Sequence, residues 1–281
     1  MADPLSAAGR ERSEARNTET IRYELMRPHD IVAVRRRTPI AYLPIGPMEW
    51  HGPHMAVGMD MLHAHTMALE AARKAGGVVL PPLPLGTETY TDPERLRHRG
   101  FTGTERIYGM DYPGFALPSL YIEESAFALI VREVVRGLKR QQFKVIALVN
   151  GHGALNHRNT LMRVAAETTE PGRATVLLAG YLYDGRYREH AAIGETSYLL
   201  AYHPEAIDLA ALPSLPAPLR YRDYGILDRQ TVVGEPSPGY AVAAEHDPRR
   251  ATPERGRDDV AYESDQIARR VTEALAALDG G

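Results

Sequence analysis

The stretch Lys144–Gly153, KVIALVNGHG, decides the architecture of this chain. Lys144 to Val149 is a short apolar run rich in β-branched residues, the pattern of a buried strand. It runs straight into Asn150-Gly151-His152-Gly153, where the two glycines let the backbone turn sharply and approach a ligand closely. An imidazole carried on such a turn stands at the carboxyl end of a strand, where open α/β sheets place their ligands. A phosphate-binding turn fits poorly. The third glycine of the dinucleotide fingerprint and the Gly-Lys-Ser/Thr of a P-loop are both absent.

Working outward, apolar runs alternate with amphipathic stretches. Pro39 to Ile45 reads as a second buried strand ending at Gly46, and Val78 to Leu80 as a third. Between them Met61 to Ala75 carries helix formers and stops at Gly76-Gly77. Glu123 to Gln142 puts Phe127, Ile130, Val131, Val134, Val135 and Leu138 on one helical face. A helix should start near Asn156, a strand should span Ala174 to Ala179, and a short helix should cover Tyr198 to Tyr202. The last helix has Thr252 as cap and Pro253 at its first position, with Val260, Ile267, Val271, Leu275 and Leu278 as its stripe. Strands alternating with helices predict an α/β fold, a largely parallel central sheet with helices on both faces. Residues 1–25 read as a flexible N-terminal arm and 26–281 as one α/β domain. Residues 213–257, with seven prolines, read as mostly loop.

Composition removes several functions. There is no cysteine, which excludes thiol nucleophiles, zinc ribbons and iron–sulfur sites, and leaves histidines and carboxylates as metal ligands. A formal net charge of −3 is no footprint for a nucleic-acid binder. Residues 1–25 hold no apolar signal core, and the longest apolar runs, such as Ala126 to Val131, fall far short of the ~20 residues of a membrane span. A cytoplasmic protein without membrane partners is the expectation.

Four of the 11 histidines, His51, His54, His63 and His65, crowd into fifteen residues. Glu49 and His51 are two apart, so on extended backbone both point to one side. Asp60 follows where the next helix begins. A carboxylate, an imidazole and a second carboxylate gathered in this way suit a divalent cation with mixed oxygen and nitrogen ligands. Each has an ordinary alternative: Asp60 as a helix cap, His51 as a surface histidine. Further on, Glu195 stands near the start of a short helix, with His190 five residues before it. His63 and His65, two apart on a helix, cannot share one face and read as structural or substrate-lining. Glu88 to Arg106 lacks periodicity and reads as a loop that could border a site. Tyr108, Tyr112, Phe115 and Tyr121 would supply aromatic walls or a subunit contact.

Taken together, Glu49-Trp50-His51-Gly52-Pro53-His54 with Asp60, Asn150-Gly151-His152-Gly153, and His190-x4-Glu195-Thr196-Ser197 resemble the three signatures of the creatininase (creatinine amidohydrolase) family. Asp247 to Gly256 resembles that family's loop before its last helix, so the likeness runs from about residue 35 to the C-terminus. The resemblance implies a three-layer α/β/α sandwich holding two divalent cations, zinc and/or manganese or else iron, in a homo-oligomer, a hexamer or dimer. By position, Glu49, Asp60 and His152 would hold one metal, with Asp60 bridging to a second held by His51 and Glu195. Trp50 and Ala154 depart from the pattern, which has a Gln and, in creatininase itself, a Glu at these places. With His54, which reads as orienting a ligand or the loop rather than binding metal, they are candidates for substrate contact.

The resulting expectation is a metal-dependent hydrolase of a small molecule. Paired cations activate a water and polarise a carbonyl, so no protein nucleophile is required. Glu195 and His190 would be catalytic, His190 protonating the leaving group. A cyclic amide is the first substrate class. A cyclic ketone such as an inosose, a peptidase-like activity and a metal-stabilised scaffold without turnover are the competing readings.

Overall fold

A computed structural model of the chain describes residues 20–98, 101–111, 117–180, 190–217, 219–222, 225–226, 240–241 and 244–280. Its centre is a four-stranded, all-parallel sheet of β1 (Ile40–Ile45), β2 (Val78–Val79), β3 (Val145–Asn150) and β4 (Thr175–Ala179), in the order β2-β1-β3-β4. Every residue of β1 and β3 is buried, as strands covered on both faces require. Alternation assigns the two faces. Ala41, Leu43, Ile45, Ile146 and Leu148 enter one core, while Ile40, Tyr42, Val145, Ala147 and Val149 enter the other.

Helices α1 (Pro28–Arg37), α3 (Glu124–Arg140) and α4 (Leu155–Thr168) cover the first face, through Ile31 and Val34, Phe127 and Val131, and Leu161 and Val164. The opposite face is closed by α2 (Met59–Ala75) and by the final helix α6 (Pro253–Asp279), which contribute Met67, Ala71, Ile267 and Val271. Between them in sequence, α5 (Ile193–Tyr202) packs against α2 and α6 at the same end of the molecule. This is the α/β/α arrangement expected from the alternation. Thr252 caps α6, its hydroxyl accepting the N–H of Arg255, with Pro253 in the first turn.

The register positions the site. Ile45 lies opposite Asn150, so β1 and β3 end level with each other, and the chain reverses its strand order between them. That is the switch point where parallel sheets open a crevice.

Several stretches differ from expectation. Residues 20–25, grouped with the arm by their polarity, lie against the sheet, where the N–H of Val79 donates to the carbonyl of Ile21. Helix α5 starts at Ile193, earlier than Tyr198, because no side-chain cap marks its start. The loop expected over 88–106 contains a short helix, Pro93–His98, held by the buried pair Leu96 and Ile107. The proline-rich segment carries a small antiparallel sheet, β5 (Arg220–Arg222), β6 (Gly225–Ile226) and β7 (Tyr240–Ala241), whose strands of two or three residues are too short to show a period. Tyr112, Phe115 and residues 1–19 lie outside the described residues. Among the described residues no helix is long and apolar enough to cross a membrane.

Candidate metal centre

The site grows from the two level strand ends. After β1 the chain leaves regular structure, and the N–H at His51 Nδ1 donates to the carbonyl of Glu49, 3.0 Å away. That bond turns Nε2 toward Asp60, whose Oδ1 lies at 3.2 Å. Asp60 belongs to the first turn of α2 but caps nothing, since the helix is entered through Gly58. After β3, Asn150 clamps the next turn: its Oδ1 accepts the N–H of His152 at 3.0 Å and its Nδ2 donates to the carbonyl of His152 at 2.7 Å. Nδ1 of His152 then sits 2.9 Å from Asp60 Oδ2. The start of α2 is pressed so closely on this turn that a Cβ at Gly151 would fall 2.0 Å from the carbonyl oxygen of Asp60. Only glycine fits there.

Helix α5 supplies the third element. Glu195, buried in its first turn, accepts the N–H of Ala191 and lies 3.9 Å from His51 Nε2. His190 donates from Nε2 to the carbonyl of Trp50 at 2.7 Å, and its Nδ1 is 3.3 Å from Glu49 Oε1. Its ring lies tilted over that of His51 with centroids 4.1 Å apart.

Among the described residues, donor atoms within 4.8 Å of one another form three sets: Glu49, Asp60 and His152; His51, Asp60 and Glu195; Glu49, His51 and His190. The first two share Asp60, one oxygen facing each imidazole.

The electrostatics favour a cation. Glu49, Asp60 and Glu195 are at most 5% exposed, and among the described residues no Lys or Arg pairs with them. Three buried carboxylates without such compensation demand positive charge from elsewhere. In the protein alone the imidazoles provide it. Burial works against a charged His51, yet Asp60, Glu195 and Glu49 lift its pKa to about 10. Burial likewise opposes a proton on His152, and Glu49 and Asp60 hold its pKa well above the usual imidazole range. Glu195 is pushed up to about 7 by burial, and His190 down to about 4 by burial and then by charge on His51. Divalent cations would replace these protons and leave neutral imidazole as ligand, a donor set of oxygen and nitrogen suited to zinc or manganese. The residues fit the group.

Of the residues singled out in the sequence, Glu49, His51, Asp60, His152, His190 and Glu195 converge. His54 does not join them. It is 1% exposed and bonds through Nε2 to Thr196 Oγ1 at 3.1 Å, fastening the loop after β1 to α5. His63 bonds to Glu263 at 3.0 Å, a structural tie between α2 and α6. Trp50 borders a cleft of about 130 Å³ with Met48, Glu49, Val57, Leu117, Pro118, Ser119 and Leu120. Ala154 is half-buried at the entry to α4. Three neighbours of the cluster lie outside the motifs, two of them in segments expected to border the site: Tyr121, whose hydroxyl donates to Glu49 Oε2 at 2.6 Å; Glu88, whose Oε1 is 3.5 Å from His152 Nε2; and, with no such expectation, His157, edge-on to His152 with centroids 5.0 Å apart.

The creatininase family model, described as creatinine amidohydrolase, matches residues 24–277. The chain belongs to the creatininase family. With that membership it is a hydrolase of the creatininase type, carrying a candidate metal site at Glu49, His51, Asp60 and His152. The creatinine amidohydrolase of Pseudomonas putida is 24% identical over 192 residues, covering 60% of this chain and 66% of that relative. A crystal structure of creatinine amidohydrolase aligns with a TM-score of 0.61 at 18% identity, over 91% of this chain and 98% of that one. A creatininase mutant of the zinc–zinc type aligns with a TM-score of 0.61 at 20% identity, and a manganese creatininase with 0.60 at 18%, each over 91% of this chain and 98% of its own. At these identities the likeness shows a common fold.

Proposed function

We propose that this chain is a two-metal hydrolase that opens the carbon–nitrogen bond of a small cyclic amide. The observation that carries the proposal is the pair of donor sets sharing Asp60, with one carboxylate oxygen turned to each imidazole. Glu49, Asp60 and His152 would hold one divalent cation and His51, Asp60 and Glu195 the other. Such a pair, when bound, supplies an activated water and Lewis acidity toward a carbonyl oxygen. The protein's residues do the rest. His190, the most accessible of the clustered imidazoles, presents Nδ1 beside Glu49 and would carry the proton to the leaving nitrogen. The cleft beside Glu49 and Trp50, about 130 Å³ and walled mainly by apolar side chains, suits a small ring. Zinc or manganese as the bound ion is supported by the structural neighbours that hold them. Assembly into a homo-oligomer belongs to the same reading.

Ala154 and Trp50 favour a second substrate class on the same metal site. With Ala at 154 no carboxylate follows His152, so a cyclic ketone or a peptide-like substrate is the alternative.

Metal analysis of the purified chain should give about two divalent ions per chain; none would refute the proposal. His190→Ala should retain the metal and lose roughly 10²- to 10⁴-fold in kcat. A panel of creatinine, hydantoins, lactams and inososes then separates the two substrate classes.

A further inference from the structure

We infer that Glu88 and Tyr121 are positioning residues of the metal site: Glu88 fixes the orientation and tautomer of His152, and Tyr121 fixes which oxygen of Glu49 faces the cluster. The inference rests on the metal-site reading above and adds the outer layer that reading lacks.

A metal-binding imidazole normally donates its remaining ring N–H to a carbonyl or carboxylate, which locks the ring and raises its basicity. His51 has such a partner in the carbonyl of Glu49. His152 has its Nδ1 committed to the cluster, at 2.9 Å from Asp60 Oδ2 and 3.5 Å from Glu49 Oε1. Its Nε2 is buried and makes no hydrogen bond among the described residues, and Glu88 Oε1 stands 3.5 Å from it, a few tenths of an ångström beyond hydrogen-bond range. The other oxygen of Glu88 accepts the N–H of Thr89 at 3.0 Å, which aims Oε1 at the imidazole. Glu88 itself belongs to none of the three donor sets, so it acts through His152.

Tyr121 does the matching work on Glu49. Its hydroxyl accepts the N–H of Met110 at 3.3 Å, so its own proton goes to Glu49 Oε2 at 2.6 Å. Only Oε1 is left facing His51, His152 and His190, at 3.6, 3.5 and 3.3 Å.

Both residues sit on one built ledge. Ile122 donates to the carbonyl of Gly86 and Gly109 to that of Thr89, joining residues 86–90 to 108–109 and 121–122. Gly109 lies between them at φ +54°, and a Cβ there would fall 2.6 Å from Glu88 Cγ and 2.7 Å from Tyr121 Cε2. The two side chains reach the site because residue 109 has none.

The test is a chelator-competition titration of the full chain with Zn²⁺, together with the visible spectrum of the Co²⁺-loaded protein. Tyr121→Phe removes one oxygen and keeps the ring; Glu88→Ala removes the carboxylate from a partly exposed position. Each should weaken the tighter Zn²⁺ site roughly 10- to 100-fold and shift the Co²⁺ bands, while the melting temperature without metal is maintained. Glu88→Gln, which keeps an acceptor oxygen, should recover part of the loss. Affinities and spectra matching the unmodified chain would overturn the inference while leaving the two-metal reading intact. An unmodified chain that takes up neither Zn²⁺ nor Co²⁺ would instead overturn that reading. Tyr121→Phe decides the question should Glu88→Ala fail to fold.

Discussion

Four of the buried histidines fall into two pairs with opposite chemistry. His51 and His152 are 0% and 3% exposed, His157 and His54 0% and 1%. Burial alone would depress all four. Yet the first pair is held well above the ordinary imidazole range by Asp60, Glu49 and Glu195. The second pair is pushed down, His54 to about 3, because burial meets no carboxylate strong enough to oppose it. His157 stacks on Phe127 with centroids 4.5 Å apart and accepts the N–H of Thr87 at Nδ1, a role only the uncharged ring can fill. The neighbours, and not the depth, decide whether a buried histidine is suited to hold a cation or serves as a piece of core.

The sharpest break in that comparison is removal of a candidate ligand. Loss of an outer partner costs roughly 10- to 100-fold in metal affinity or activity, so His152→Asn should cost at least roughly 100-fold in turnover. Metal content should fall with it; full metal content with unaltered turnover would return His152 to the structural class. Next in size is the pH dependence of stability. His54 and His157 stay neutral in the folded chain while the unfolded chain takes up protons below its ordinary value of about 6.5. His54 therefore removes about 1.4 kcal/mol of stability per pH unit as pH falls from about 6.5 toward about 3 in the metal-free chain, and His157 acts in the same direction below about 6.5. His51 runs the other way. With its folded value raised to about 10, its contribution in the metal-free chain is complete below about 6.5 and is lost as pH rises toward about 10. Bound cations displace that proton, so melting curves of chelated and metal-loaded protein should diverge most on the alkaline side. Curves that stay parallel there would remove the distinction. The smallest effect is expected at Thr196→Val, which strips His54 of its partner and should lower unfolding free energy by about 1–3 kcal/mol without changing metal content.

How much of this was legible beforehand follows from how far each signal reaches along the chain. The turn after β3 is written locally, in Gly151 and Gly153 around His152, and the spacing of Glu49 from His51 is equally local. The final helix announces itself through Thr252 and Pro253. Local pattern alone reads Glu195 as a residue near a helix start, and only the family resemblance set it beside His51, because that approach is made by α5 packing onto α2 and α6. Tyr121 meets Glu49 from 72 residues away, across a stretch with no period, and nothing local marks Glu88 as the partner of His152. His54 shows the converse: it sits inside the densest histidine stretch, and the fold turns it to Thr196.

The sequence by itself determined the alternation of buried strands with amphipathic helices, the sharp glycine turns at the strand ends, and the supply of hard donors in a chain without cysteine. These are properties of a few consecutive residues, set by side-chain period and backbone freedom. Only the tertiary structure decided which donors meet. Parallel pairing of β1 with β3 brings Ile45 level with Asn150, and the start of α2 lodges Asp60 between the two turns. Coulomb energy and hydrogen bonding act over a few ångströms in space, whatever the separation along the chain, so the pairing of charges had to await the fold.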